Sequence, residues 1–127
     1  MFHYTVETDK TMEKAIQSVE ENLKHEQFGV LWQFDIRKTL QNKGLEFDDP
    51  FVVLEVCNPN EAQNILSKNK MVGYFLPCKV VVYEEEGKTK IGMPKPTELI
   101  QMVKDEELME TARSVEARII KAINQSV

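Results

Sequence analysis

Long apolar runs are missing from this chain of 127 residues, and so is any excess of positive charge. No stretch approaches the roughly 18 apolar residues that a membrane-spanning helix needs. The opening residues, Met1-Phe2-His3-Tyr4-Thr5-Val6-Glu7, lack the basic and apolar segments of an export signal. A cytoplasmic protein with no membrane partner is therefore expected. Sixteen Lys and Arg stand against 21 Asp and Glu, a net charge of −5. That balance lacks the basic footprint by which proteins hold nucleic acid. Five glycines and five prolines are too few for a collagen-like or low-complexity chain. The glycines stand singly, so no glycine-rich loop is available to cradle a phosphate, and there is no Ser-centred elbow or HExxH. Cysteine is also scarce. Cys57 and Cys78 lie 21 residues apart, which is not CxxC spacing, and two cysteines alone do not make a zinc site. In a reducing compartment both are expected as free thiols.

What is present is ordinary for a single globular domain spanning residues 1–127: 42% hydrophobic and 29% charged residues. A chain of this length buries roughly two thirds of its unfolded surface without metal or disulfide. Phe2 to Glu7 alternates as a half-buried strand. From Thr11 to about Glu26, Met12, Ala15, Ile16, Val19 and Leu23 form one apolar stripe of a helix, capped by Thr11 or a near neighbour. Phe28 to Ile36 alternates again. Arg37 to Lys43 reads as a short helix closed by Gly44. Phe51 to Cys57 is the most strongly β-prone segment. Asn58 suits the N-cap of the helix that follows, with Pro59 at its first position, running to about Lys68. Leu76 to Tyr83 and Lys88 to Met93 form a hairpin across Glu84-Glu85-Glu86-Gly87. Thr97 onward is helical in two pieces, the second opening at Asp105-Glu106-Glu107.

Connections this short suit antiparallel pairing. The expected fold is α+β: a two-layer sandwich with one mainly antiparallel five-stranded sheet, helices packed on one face, and a C-terminal helix. Strict alternation puts Tyr4, Val6, Val30, Trp32, Phe34, Val52, Leu54 and Val56 on the helix-covered face. It puts His3, Thr5, Gln33, Asp35, Glu55 and Cys57 on the other, provided no bulge intervenes.

Three segments, Phe28-Gly29-Val30 with Asp35, Cys57-Asn58-Pro59, and Leu76-Pro77-Cys78, occur in this order at compatible spacing. Together they resemble the family called domain of unknown function 302. The resemblance covers about residues 1–95, leaving 96–127 as a C-terminal helical extension. It implies a compact α+β domain, often a dimer, and supplies no reaction.

The candidate site follows from the polar face. His3, Asp35, Glu55 and Asn58 are candidate ligand-binding residues, and Cys57 and Cys78 are candidate catalytic ones. A thiol at the start of the Asn58–Pro59 helix could be activated by the helix N-terminus. Two close thiols could form a redox pair or hold a soft metal such as Cu(I). A Cys/His dyad with His3, or an acid–base pair of Asp35 and Glu55, would need the fold to bring them together. Against these stand plainer roles: Cys as a small buried hydrophobe, Asn58 as a cap, carboxylates facing water, and His25 on a charged helix surface. The sequence leaves the cofactor unspecified. The reading favoured is a homodimeric small-ligand or metal-binding module with its polar sheet face near Cys57 and Cys78. A cysteine-dependent redox or hydrolytic enzyme and a purely structural or interaction module are the alternatives. The dimer expectation rests on the second sheet face, where Leu31, Phe51, Val53 and Val81 break up the polar pattern.

Overall fold

The computed structural model describes all residues 1–127. Five strands, β1 (His3–Thr8), β2 (Gly29–Asp35), β3 (Phe51–Cys57), β4 (Cys78–Glu85) and β5 (Lys88–Pro94), form one sheet in the order β1-β5-β4-β3-β2. Every neighbouring pair is antiparallel. The helices are α1 (Met12–His25), α2 (Ile36–Asn42), α3 (Pro59–Lys68), α4 (Pro96–Ile100) and α5 (Met109–Gln125). The expected α+β sandwich with its C-terminal helix is what the chain forms.

One face of the sheet carries the main core. Val52, Leu54 and Val56 of β3, Val80 and Val82 of β4, and Ile91 and Met93 of β5 are buried. They meet Ala15, Val19 and Leu23 of α1 and Val115, Ile119, Ala122 and Ile123 of α5 in a single cluster. The apolar stripes of both helices explain this: three or four residues per two turns point the same way and leave charge outside. Thr11 caps α1 by accepting from Lys14 N. Lys10 ties the C-terminal end of α5 down, donating to Ser126 O at 2.9 Å and to Ser18 Oγ at 3.1 Å.

A second, smaller core lies beyond the end of the sheet. Ile65 of α3, Val72, Ile100 of α4, Leu108 just ahead of α5 and Ala112 within α5 cluster separately from the first. Val72 belongs to a tight 3-10 segment, Lys70–Phe75, opened by Asn69 accepting from Met71 N. That segment joins α3 to β4. Asp105 opens the turn Glu106–Leu108 ahead of α5, as the acidic run suggested.

The sheet departs from strict alternation in one place. Val30 pairs with Val56, but Trp32 pairs with Glu55, so Leu31 is an extra residue in a β-bulge. Past the bulge every side chain of β2 changes face. Trp32 and Phe34 therefore leave the helix-covered face and stand beside Glu55 and Val53 on the other. Gln33 moves the opposite way and donates to Glu20 of α1. This corrects the face assignment for Trp32, Phe34, Gln33 and Asp35. The second face now carries two stacked aromatic pairs, Trp32 with Phe34 at 5.3 Å and Phe51 with Tyr83 at 4.9 Å between ring centroids. Apart from Gly92, which has no side chain, none of its residues is buried.

Candidate functional site

Two packed bodies that meet at a sheet end leave a gap between them. Here the gap is a cavity of about 710 Å³, within the size range of small-molecule sites. Its walls are largely apolar. Val56, Met93 and Ile119 come from the main core, and Ile65, Val72 and Ala112 from the second. Leu31, Trp32 and Tyr74 also line it and are 63%, 58% and 81% exposed, so they mark its mouth. The bulge at Leu31 is what brings Leu31 and Trp32 to that rim together.

Polar groups converge at the sheet end of the cavity. Glu55 and Lys79 face each other across β3 and β4, with Lys79 Nζ donating to Glu55 Oε1 at 3.1 Å. Glu55 Oε2 is buried and has no partner. Both cysteines line the cavity as well. Cys78 lies directly across from Val56 and packs against the main core. Cys57, one residue further along β3, points to the opposite face by the pleat. The two thiols are thus diagonal neighbours on opposite sides of the sheet, and both are free.

The electrostatics run against an activated thiol. Burial pushes the Cys57 thiol up from its ordinary value. Cys78 is pushed up to about 11, first by burial and then by Cys57 and Glu55, with Lys79 pulling the other way. Nucleophilic chemistry needs the thiolate, and both sites favour the protonated form. The expectation that the helix N-terminus lowers these values is therefore corrected. The N-terminus of α3 is already served by Asn58, whose side chain accepts from Glu61 N at 3.1 Å.

The other candidates disperse. His3 lies on β1, with β5 and β4 between it and β3, about 14 Å away at normal strand spacing. Its Nδ1 is 2.9 Å from Thr5 Oγ1. No Cys/His dyad forms. Asp35 caps α2, accepting from Lys38 N at 2.9 Å. It pairs with Val52, three residues along β3 from Glu55, or about 10 Å, so the two carboxylates are not an acid–base pair. Nowhere do three or more His, Cys, Asp or Glu side chains gather as metal ligands. The structure thus brings together Glu55, Cys57, Cys78 and the cap Asn58, all at the cavity wall, and leaves His3 and Asp35 outside. It adds Lys79 and Trp32. Alternation from Cys78 places Lys79 on the face of Glu55, which was a readable signal; Trp32 was masked by the bulge.

Comparison with known proteins agrees with this architecture. The family described as "Domain of unknown function DUF302" matches residues 4–126, so the match extends past residue 95 and takes in α5. A solved structure similar to this chain is that of an uncharacterized conserved DUF302 protein from Bacillus stearothermophilus. It is 54% identical, with a TM-score of 0.98 over 100% of this chain and 99% of that one. No curated protein matches the chain.

Proposed function

The chain belongs to the domain of unknown function DUF302 family, and from that premise we propose that it is a small-ligand-binding module that works as a homodimer in the cytoplasm. One observation carries the binding half: the apolar cavity of about 710 Å³ between the two cores, with Glu55 and Lys79 at its sheet end. Pockets of this kind, apolar with a few convergent polar groups, are the usual form of small-molecule sites. No cluster of three or more candidate ligands supports the metal half of the earlier expectation, and burial holds both thiols toward the protonated form, which weighs against the cysteine-enzyme alternative.

Self-association rests on the second sheet face. Five strands at normal spacing and six or seven residues each make a face roughly 24 Å by 20 Å. An isologous pairing of two such faces approaches the lower range of stable interfaces. The occupant is a second copy, because the face pairs aromatic rings with balanced charge, Lys88 and Lys90 against Glu7 and Glu85. A cytoplasmic setting suits two unpaired thiols, and no helix is long and apolar enough to cross a membrane.

The binding half is tested with the neutral apolar dye Nile red. Saturable binding at one site per chain, lost when Ala62→Trp fills the cavity, supports it; absence of saturable binding overturns it. Light scattering over a dilution series tests the dimer, and a mass near 14.7 kDa at every concentration overturns that half.

A further inference from the structure

Resting on the ligand-binding reading above, we infer that the cavity selects an apolar molecule whose polar end is a hydrogen-bond donor, a primary amine or an alcohol, rather than a carboxylate. The Glu55–Lys79 pair decides this. Lys79 carries the only cationic group lining the cavity, and its charge is already spent on Glu55 Oε1. What stays unmet is an acceptor, Glu55 Oε2, which has neither solvent contact nor partner.

A buried acceptor without a donor is an unfavourable state that a ligand can relieve. A carboxylate head would do the reverse, bringing a second anion against Glu55. The pair can also open to admit a donor. Glu55 is the fixed member, its side chain 16% exposed, whereas Lys79 is 48% exposed on a flexible stem. Lys79 is the solvent-facing member of the pair, so it can swing out and uncover Glu55 for an ammonium or hydroxyl donor. The rest of the cavity offers apolar wall for an alkyl or aromatic body. Among the remaining polar lining, Glu61 faces Arg118 at 3.8 Å, Asn58 is engaged as the cap of α3, and Thr111, Cys57 and Cys78 carry no charge to answer a carboxylate.

Trp32 is the sole tryptophan and stands at the mouth opposite Glu55, so its fluorescence reports occupancy. The probes are dodecylamine, dodecyltrimethylammonium and dodecanoate, each below its micellar concentration. Dodecylamine is expected to bind about tenfold more tightly than the other two. The trimethylammonium probe carries the same charge without an N–H and so separates donation from general attraction to an acidic chain. In Glu55→Ala the order is expected to turn in favour of dodecanoate, since Lys79 is left unpaired. Equal affinities, or dodecanoate tightest in the unsubstituted protein, overturn the donor inference while Nile red binding leaves the binding module standing. Failure of all four probes removes the module itself. If Glu55→Ala does not fold, the order of the three probes on the unsubstituted protein still decides.

Discussion

Cys78 shows how a residue's chemistry is set by its surroundings. It opens β4, packs on the main core and sits near Cys57 and Glu55, and its thiol is pushed up from 9.0 to about 11. The folded chain therefore holds its proton more tightly than the unfolded chain does. The associated stability is fully present below pH 9 and is lost as pH rises through about 11. A two-unit shift corresponds to about 2 to 3 kcal/mol. Urea denaturation at pH 8 and pH 10.5 should show stability falling with pH, and falling less steeply in Cys78→Ala, where this proton is absent. Identical slopes in the two proteins would show that Cys78 does not titrate as described. Asn58 illustrates the complementary case. Its buried side chain is engaged as the cap of α3, so Asn58→Ala is expected to cost about 1 kcal/mol in the same experiment without changing the pH slope.

At the scale of elements, the close contact between β1 and β5 is the most exacting. A Cβ at Gly92 would meet Thr5 Oγ1 at 2.7 Å and Tyr4 O at 3.2 Å. Gly92→Ala should destabilise by about 1 to 3 kcal/mol in denaturant melts. Combining it with Thr5→Ala should recover part of that loss, since the nearer atom is gone and the carbonyl remains; no recovery would place the strain elsewhere. The elements themselves were largely readable. Phe51–Cys57, the Asn58 cap with Pro59 behind it, and the Asp105 start of the last helical region coincide with strong local signals of alternation, capping and acidic first turns. Two features were not readable. The bulge at Leu31 leaves no mark in the alternating run from Phe28 to Ile36, because Leu31, Trp32 and Phe34 are all apolar and either register buries some of them. The segment Lys70–Phe75 has no strand or helix period of its own. It is held by contacts of Val72 with α3, α4 and α5 that only the fold creates. The cavity arises from both features, so its walls could not be assembled from pattern alone, although Glu55, Cys57 and Cys78 within them could be named.

Over the whole molecule, the sheet divides labour between its faces. One is closed by α1 and α5; the other keeps Trp32, Phe34, Phe51, Val53, Val81 and Tyr83 without a buried side chain among them. Val81 stands near the middle of that second face, across from Val53 on one side and Gly92 on the other. A charge there should act differently on folding and on pairing. Within one chain, Val81 does not enter either core, so Val81→Glu is expected to cost at most about 1 kcal/mol of stability. In a two-fold pairing the same substitution appears twice near the axis, setting carboxylate against carboxylate in a desolvated interface, where like charges cost several kcal/mol. Val81→Glu should therefore be monomeric by light scattering at concentrations where the unsubstituted protein is dimeric, with an unchanged far-ultraviolet circular dichroism spectrum. The cavity's mouth, at Leu31, Trp32 and Tyr74, lies at the sheet end rather than over Val81, so the monomeric variant should still bind Nile red. A variant that remains dimeric would move the contact off this face, to a sheet edge or to the helices.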